Sequence, residues 1–424
     1  LYISIVVILL TEMFEIKNKG MIVLCAAIFV SFPTVVSSFA YMYTADAYLL
    51  AFLLATLAVY LTWCVKKWGT IAGMVCLAFA MGIYQAYATV AIVLVLLYII
   101  RQFVIEKLDF LEAVRKDLKY LGMLVGGAVL YAVILKITLI RYNITLPGYQ
   151  GIGALGIMSL GQYKAALQKT LYHFRLILGM EHGVEKRVYS ILNAAVLLLI
   201  GLIFIYLLIR NQVYKKKLSM LASIAAVCLI PVGAYFINFT SPDVQYYTLM
   251  EMAVCLIYLL LIIMLLQLEW KTWISKILKG CGIFVLCGLV YYNVINSNIA
   301  YFNMNLSYHK SISIAEDVLQ RIEQMDEFQN QHDKVVIMGD YNCATENLQI
   351  MMPSIMGISN DSFLNDSYHY TIIWNYCFGV QMEQASYDEM MEIVETDEYK
   401  NMSVYPLKGC VEYINGIIVV KMQE

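Results

Sequence analysis

The chain has 424 residues, of which 61% are hydrophobic and only 14% charged, with a mean hydropathy of +0.70. Ordinary soluble domains carry about a quarter charged residues, so a soluble globule is excluded and a polytopic α-helical membrane protein is expected. The formal net charge of −2 gives no footprint for nucleic acid, and the information lies in where the basic residues fall.

Cys25, Cys64, Cys76, Cys228, Cys255, Cys281 and Cys287 sit in or beside apolar runs and read as small hydrophobes. Cys343, Cys377 and Cys410 fall in the polar tail without metal-ligand spacing, which supports neither a zinc site nor a disulfide framework.

The opening run Leu1–Leu10 is too short to cross about 30 Å of hydrocarbon, and with Leu in place of an initiating Met an N-terminal truncation is expected. Apolar segments follow at Met21–Ala40, Ala47–Val65, Ile71–Ile83, Ala86–Ile100, Leu121–Ile140, Val188–Ile209, Leu218–Ile237, Tyr246–Leu266 and Cys281–Ile295, which makes about nine to ten spans. The stretch from Thr70 to Ile100 is read as two short or tilted helices turning at Tyr84-Gln85, against the alternative of one long tilted helix. Each half covers only about 20 Å at about 1.5 Å per residue.

Lys and Arg in short loops mark the cytoplasmic side. Lys17 and Lys19, Lys66 and Lys67, the connection from Arg101 to Lys119, Arg210 with Lys215 to Lys217, and Lys271 with Lys276 and Lys279 alternate with loops lacking either residue. Only the turn at Tyr84-Gln85 keeps Lys66 and Arg101 on one side. The bare loops, the long loop 141–187 and the polar tail then face outward. In that loop Tyr163, Leu167, Leu171, Phe174 and Leu178 recur at helical spacing, so an interfacial amphipathic helix is expected over 161–180.

Beyond residue 298 the composition turns polar, and residues 299–424 are expected to form a separate extracytoplasmic α+β domain. Ser313 and Glu316 have capping-box spacing ahead of a helical stripe of Ala315, Val318, Leu319, Ile322 and Met325. Lys334–Gly339 and His369–Trp374 are read as strands, and Val411–Lys421 as a hairpin turning at Asn415-Gly416. Gly339-Asp340 is followed by no glycine-rich phosphate loop, which argues against a nucleotide site.

The candidate chemistry lies on the outward side. A carboxylate at bilayer depth costs several kcal/mol unless it lies at the interface or faces a wet cavity, so Asp46, in the aromatic turn Tyr41–Tyr48, is the first candidate, with Asp243 in the turn Ser241-Pro242-Asp243 the second. The plainer alternative for both is a helix start: Thr44 as N-cap with Asp46 two residues on, and Pro242 at the first position with Asp243 favouring the dipole. Two converging carboxylates would suit general-base work on a hydroxyl or a divalent cation, although no acidic cluster marks a metal site and no cofactor is evident. Tyr84 and Gln85 either bind a sugar hydroxyl or form a helix–helix hydrogen bond. Lys164, Lys169 and Arg175 either anchor the interfacial helix by snorkelling or neutralise a lipid phosphate. Glu181, His182 and Glu185 read as solvated loop residues.

The stretches Ser31-Phe32-Pro33, Tyr41 to Asp46, Gly82-Ile83-Tyr84-Gln85-Ala86, Asn303 to Tyr308 and Ala315 to Glu323, with the strand ending at Gly339 and the final hairpin, resemble bacterial glucosyl transferases of the GtrII family. The resemblance implies a GT-C architecture and transfer of a sugar, usually glucose, from a polyprenyl-phosphate carrier to a cell-surface glycopolymer outside a bacterial cell membrane. It assigns Asp46 to the family's acid in the outer turn and Tyr84-Gln85 to its Tyr-Gln pair, with the main catalytic acid expected upstream of Leu1. A transporter or lipid-carrier flippase is the competing class, and a non-catalytic assembly protein the third. Neither an inverted repeat of interrupted spans nor paired intramembrane charges favours transport.

Overall fold

The structure, a computed structural model, describes residues 1–146, 156, 158–178, 187–329, 333–341, 364 and 366–422. These fall into two compact units, one within Leu1–Ser297 and the other beginning at Asn298.

The first unit is helical: α1 (Tyr2–Met13), α2 (Lys19–Ser31), α3 (Pro33–Ala40), α4 (Ala45–Cys64), α5 (Gly69–Ile83), α6 (Ala88–Val104), α7 (Phe110–Tyr142), α8 (Leu160–Ile177), α9 (Arg187–Arg210), α10 (Lys217–Ala234) and α11 (Leu256–Leu266). A further helix, α12 (Trp273–Glu323), runs on into the second unit. Seven segments among the described residues are long and apolar enough to cross a membrane, and Tyr2–Met13, Gly69–Ile83 and Met252–Leu266 are shorter apolar helices. The protein is thus a polytopic helical membrane protein. The expected apolar runs are helical over most of their length, but Met21–Ala40 breaks at Phe32, Tyr246–Leu266 is α-helical only from Leu256, and the helices Gly69–Ile83 and Met252–Leu266 fall short of a full span's length.

Local chemistry sets the breaks. Phe32 is extended (φ −65°, ψ 140°) ahead of Pro33, because the proline ring crowds the preceding residue out of the helical region. Tyr84 is likewise extended (φ −157°, ψ 113°), so Thr70–Ile100 forms two helices rather than one. Small residues let helices meet closely. A methyl group on Gly73 of α5 would lie 2.5 Å from the Thr62 hydroxyl of α4, and one on Gly127 of α7 would lie 2.9 Å from Leu77 of α5.

The basic connections are tied together by hydrogen bonds. Arg101 pairs with Glu15 (2.8 Å) and Glu106 (3.1 Å) and donates to the Met13 carbonyl (2.6 Å). Asn211 donates to Val104 (2.7 Å), Lys216 pairs with Asp109 (2.9 Å), and Arg210 pairs with Glu269 (2.7 Å). Residues widely separated in sequence but alike in charge thereby share one end of the helical unit.

The second unit holds β1 (Asp333–Met338), α13 (Ser367–Ile373), β2 (Met382–Gln384), α14 (Tyr387–Val394), α15 (Asp397–Asn401), β3 (Val411–Ile414) and β4 (Ile417–Lys421). The sheet order is β2-β1-β4-β3, with β1 parallel to β2 and β4, and β3 antiparallel to β4. Period-two alternation gives the sheet two apolar faces. Val335, Ile337, Ile418 and Val420 pack with Ala315, Val318, Leu319 and Ile322 of α12, while Val336, Met338 and Val419 pack with Ile393 and Met402. Asn415 (φ 51°) and Gly416 (φ 84°) make the tight turn of β3 and β4, as two consecutive positive φ values require.

Two sequence expectations fail in this unit. Residues His369–Trp374 are not a strand, because Asp366 caps a helix by accepting from the His369 amide (3.1 Å). Tyr370 and Trp374, four residues apart, then lie buried on one helical face. The spacing of Ser313 and Glu316 does not start a helix either, because α12 is already continuous from Trp273.

Candidate functional site

Away from the basic connections, the segment after α10 folds back on itself. It leaves α10 at Tyr235, whose amide donates to Pro231 (3.1 Å), and continues through turns Phe236–Phe239, Thr248–Met250 and Met252–Cys255 before α11 begins. The expected helix start at Ser241-Pro242-Asp243 is therefore absent. Ser241 turns its hydroxyl onto the Asp243 amide (3.3 Å), closing a local turn that competes with a helix.

This segment is held by α8 and α3. Helix α8 begins with a capping box in which Ser159 accepts from the Gln162 amide (3.4 Å) and Gln162 from the Ser159 amide (2.8 Å). Asn238 donates to the Thr170 hydroxyl (3.2 Å), Lys169 donates to the Val244 carbonyl, and Thr34 of α3 donates to Thr248 (2.9 Å). The face that α8 buries carries Ala166, Thr170 and Ile177, whereas Leu167 and Leu171 of the expected apolar stripe are exposed. Phe174 and Leu178 of the same stripe pack inward with Ile177, so the stripe divides between the core and an exposed apolar face of the kind suited to lipid.

At the centre stands Glu251, 3% exposed. Its carboxyl lies 2.9 Å from the Tyr235 hydroxyl, which is also 3.1 Å from the His173 carbonyl. The second carboxyl oxygen of Glu251 has no hydrogen-bond partner among the described residues. The His173 ring stacks on Tyr235 (6.0 Å) and lies 5.1 Å from Tyr246, whose hydroxyl lies within hydrogen-bond distance of the Ala234 (3.4 Å) and Met250 (3.3 Å) carbonyls. Burial, with the neighbouring Lys169 ammonium, pushes the His173 imidazole down to about 4. Burial also holds Lys169 below the usual lysine range, partly offset by the Asp243 carboxylate.

The sequence candidates distribute unequally. Lys169 and Asp243 come together. Asp46 lies exposed in the first turn of α4, its carboxylate accepting from the adjacent Ala47 amide (2.8 Å). Thr44 occupies the N-cap position without capping, since its hydroxyl donates to Tyr41 (3.2 Å). Tyr84 packs its ring 5.1 Å from Tyr48, one turn along α4, and both lie with Tyr41 and Tyr246 around Ala86, Leu249 and Met250. Gln85 turns away and donates to the Tyr131 hydroxyl of α7 (2.5 Å). Both line an apolar cavity of about 390 Å³ with Leu77, Ile92, Leu124 and Phe236. Lys164 and Arg175 are exposed on α8. Glu181, His182 and Glu185 lie outside the described residues. No three His, Cys, Asp or Glu residues group as metal ligands among the described residues.

Sequence reasoning missed Glu251, Tyr235 and His173. The signal for Glu251 was present, because it is the sole acid in the run Tyr246–Leu266. The argument that selects Asp46 applies to it with more force, since Glu251 is buried and Asp46 is not.

The family model described as "Glucosyl transferase GtrII" matches residues 1–242. No curated protein and no solved structure matches the chain.

Proposed function

The chain belongs to the glucosyl transferase GtrII family, a membrane glycosyltransferase family, and from that premise we propose that it moves glucose from a polyprenyl-phosphate carrier to a surface glycopolymer on the outer side of the membrane. The observation that carries this reading is the extent of the match: residues 1–242 include Asp46, Tyr84, Gln85 and the cations of α8.

The chemistry is a direct displacement of GT-C type. The acceptor oxygen forms a bond to the anomeric carbon as the bond from that carbon to the phosphate oxygen breaks, and the phosphate leaves with the electron pair. The acceptor hydroxyl proton passes to a carboxylate. Asp46 acts as a supporting acid that orients acceptor or sugar, and Asp243 supplies a second carboxylate beside Lys169. Lys164, Lys169 and Arg175 offer positive charge to the departing phosphate. Lys169 suits this best, being half-buried where charge is less screened. Tyr84, packed against Tyr48, offers an aromatic wall to a sugar ring. The apolar cavity behind Gln85 suits an isoprenoid tail. The C-terminal unit, outside the membrane, would position the polymer acceptor.

The test is glucose incorporation into surface polymer in cells with and without the gene. Loss of the modification with carrier translocation intact supports the transferase. Unmodified incorporation with blocked carrier movement would replace it with the flippase reading.

A further inference from the structure

The polar side chains around the cavity behind Gln85 are engaged with protein partners. The Gln85 amide donates to the Tyr131 hydroxyl (2.5 Å), the Thr89 hydroxyl to the Ala86 carbonyl (2.6 Å) and the Thr240 hydroxyl to the Ile237 carbonyl (2.7 Å). The rest of the lining is hydrocarbon, and a dry apolar cavity takes an apolar guest.

Two lining residues show where that guest enters. Val125 of α7 is 55% exposed and Phe236 is 44% exposed, and α7 is one of the segments apolar enough to span a membrane. Exposed apolar walls of this kind face lipid, so the cavity opens to the bilayer and not to water. Gln85 and Tyr131 form its rim, at the end of α5 and α6 away from Lys66 and Arg101. Leu77 and Leu124 lie eight and seven residues from that rim, a depth of about 10–12 Å at about 1.5 Å per residue. An apolar cavity of about 150 Å³ holds one benzene, so the volume of about 390 Å³ holds about fifteen carbons of a single chain, about three isoprene units. The two acyl chains of a phospholipid exceed it.

One wall also reaches the cation assigned to the phosphate. Asn238, between Ile237 and Thr240, donates to Thr170 (3.2 Å), the neighbour of Lys169. Tyr84 turns the other way, into the cluster of Tyr41, Tyr48 and Tyr246, so two adjacent residues face different surroundings.

We propose that this cavity seats the first isoprene units of the carrier next to its phosphate, and that Gln85, held by Tyr131, is the rim of that seat and no part of the sugar site. The identity of the guest rests on the functional reading above.

The test uses the full chain in lipid nanodiscs with two photoprobes, a polyprenyl phosphate bearing a diazirine on the third isoprene unit and a phospholipid bearing one in an acyl chain. The polyprenyl probe is expected to label α7 between Leu124 and Tyr131 and the segment 236–240 at least about tenfold more than the phospholipid probe does. Ala128→Phe and, from α6, Ala88→Phe fill the cavity and are expected to remove most of this labelling, while Val129→Phe, on the exposed side of α7, keeps it within about twofold. Gln85→Met and Tyr131→Phe each break the rim bond and are expected to lower labelling alike, by about fivefold, the weight of one net hydrogen bond, whether or not the phosphate carries glucose. The labelled peptides decide without any variant: equal labelling by the phospholipid, or polyprenyl labelling elsewhere, would overturn the seat. A loss in Gln85→Met seen only with the glucosylated probe would return Gln85 to the sugar. Labelling as expected in a chain whose removal leaves surface glucosylation unchanged keeps the isoprenoid seat and removes the transferase reading.

Discussion

Asp46 and His173 illustrate how far a residue's role depends on what surrounds it. In the proposed mechanism Asp46 orients a hydroxyl, so Asp46→Asn in the full-length protein is expected to lower glucose transfer by about a hundredfold, the cost of a misplaced reacting group. Transfer at the parent rate would remove the role. His173 supplies a pH prediction of definite sign. Its folded-state value of about 4 lies below the ordinary value of 6.5, so folding favours the neutral ring. As pH falls below about 6.5 the unfolded chain takes up the proton first and stability declines, until the folded ring also titrates near pH 4. The thermal unfolding midpoint is expected to drop between pH 7 and 5 in the parent chain and to drop less in His173→Gln. Equal slopes would show that another group governs acid sensitivity.

At the scale of elements, the α4–α5–α7 contact depends on missing side chains. A side chain on Gly73 would meet both the Thr62 hydroxyl at 2.5 Å and the Ala58 carbonyl at 2.6 Å, and backbone cannot step aside as a flexible chain end can. Gly73→Val is expected to destabilise the protein by about 1–3 kcal/mol, seen as a lower unfolding midpoint in detergent. Gly82, where an added methyl meets nothing within 4 Å, should tolerate alanine far better, which makes it the control. Helix α8 gives the converse lesson. Its apolar spacing was legible in the sequence, but which face would pack was not, because the inward contacts come from Asn238, Val244 and Tyr235, over sixty residues away.

For the whole molecule, the charge alternation makes a prediction about sidedness. The ties among Arg101, Asn211, Lys216 and Arg210 gather the basic connections at one end, and the positive-inside rule assigns such an end to the cytoplasm. On that reading the C-terminal unit is expected outside. An alkaline phosphatase reporter fused after Glu424, which folds only in an oxidising compartment, is expected to be active, and a reporter active only when it stays in the cytoplasm should be silent there. The opposite pair of results would invert the topology and move Asp46 and α8 to the wrong side for the proposed reaction.

The sequence by itself determined the membrane class, the apolar runs, the turn at Tyr84-Gln85, the tight turn at Asn415-Gly416 and the family, whereas the break at Phe32 inside the run Met21–Ala40 came only with the structure. The former depend on transfer free energies of single segments and on turn chemistry, which act within a few residues. Only the tertiary structure decided that Ser367–Ile373 is a helix, that Gln85 answers to Tyr131, and that Glu251 rather than Asp46 is the deeply buried acid. For Gln85 and Glu251 the reason is shared. A buried polar group is tolerated only where a partner meets it, and here the partner comes from a distant stretch of chain that no local pattern can name.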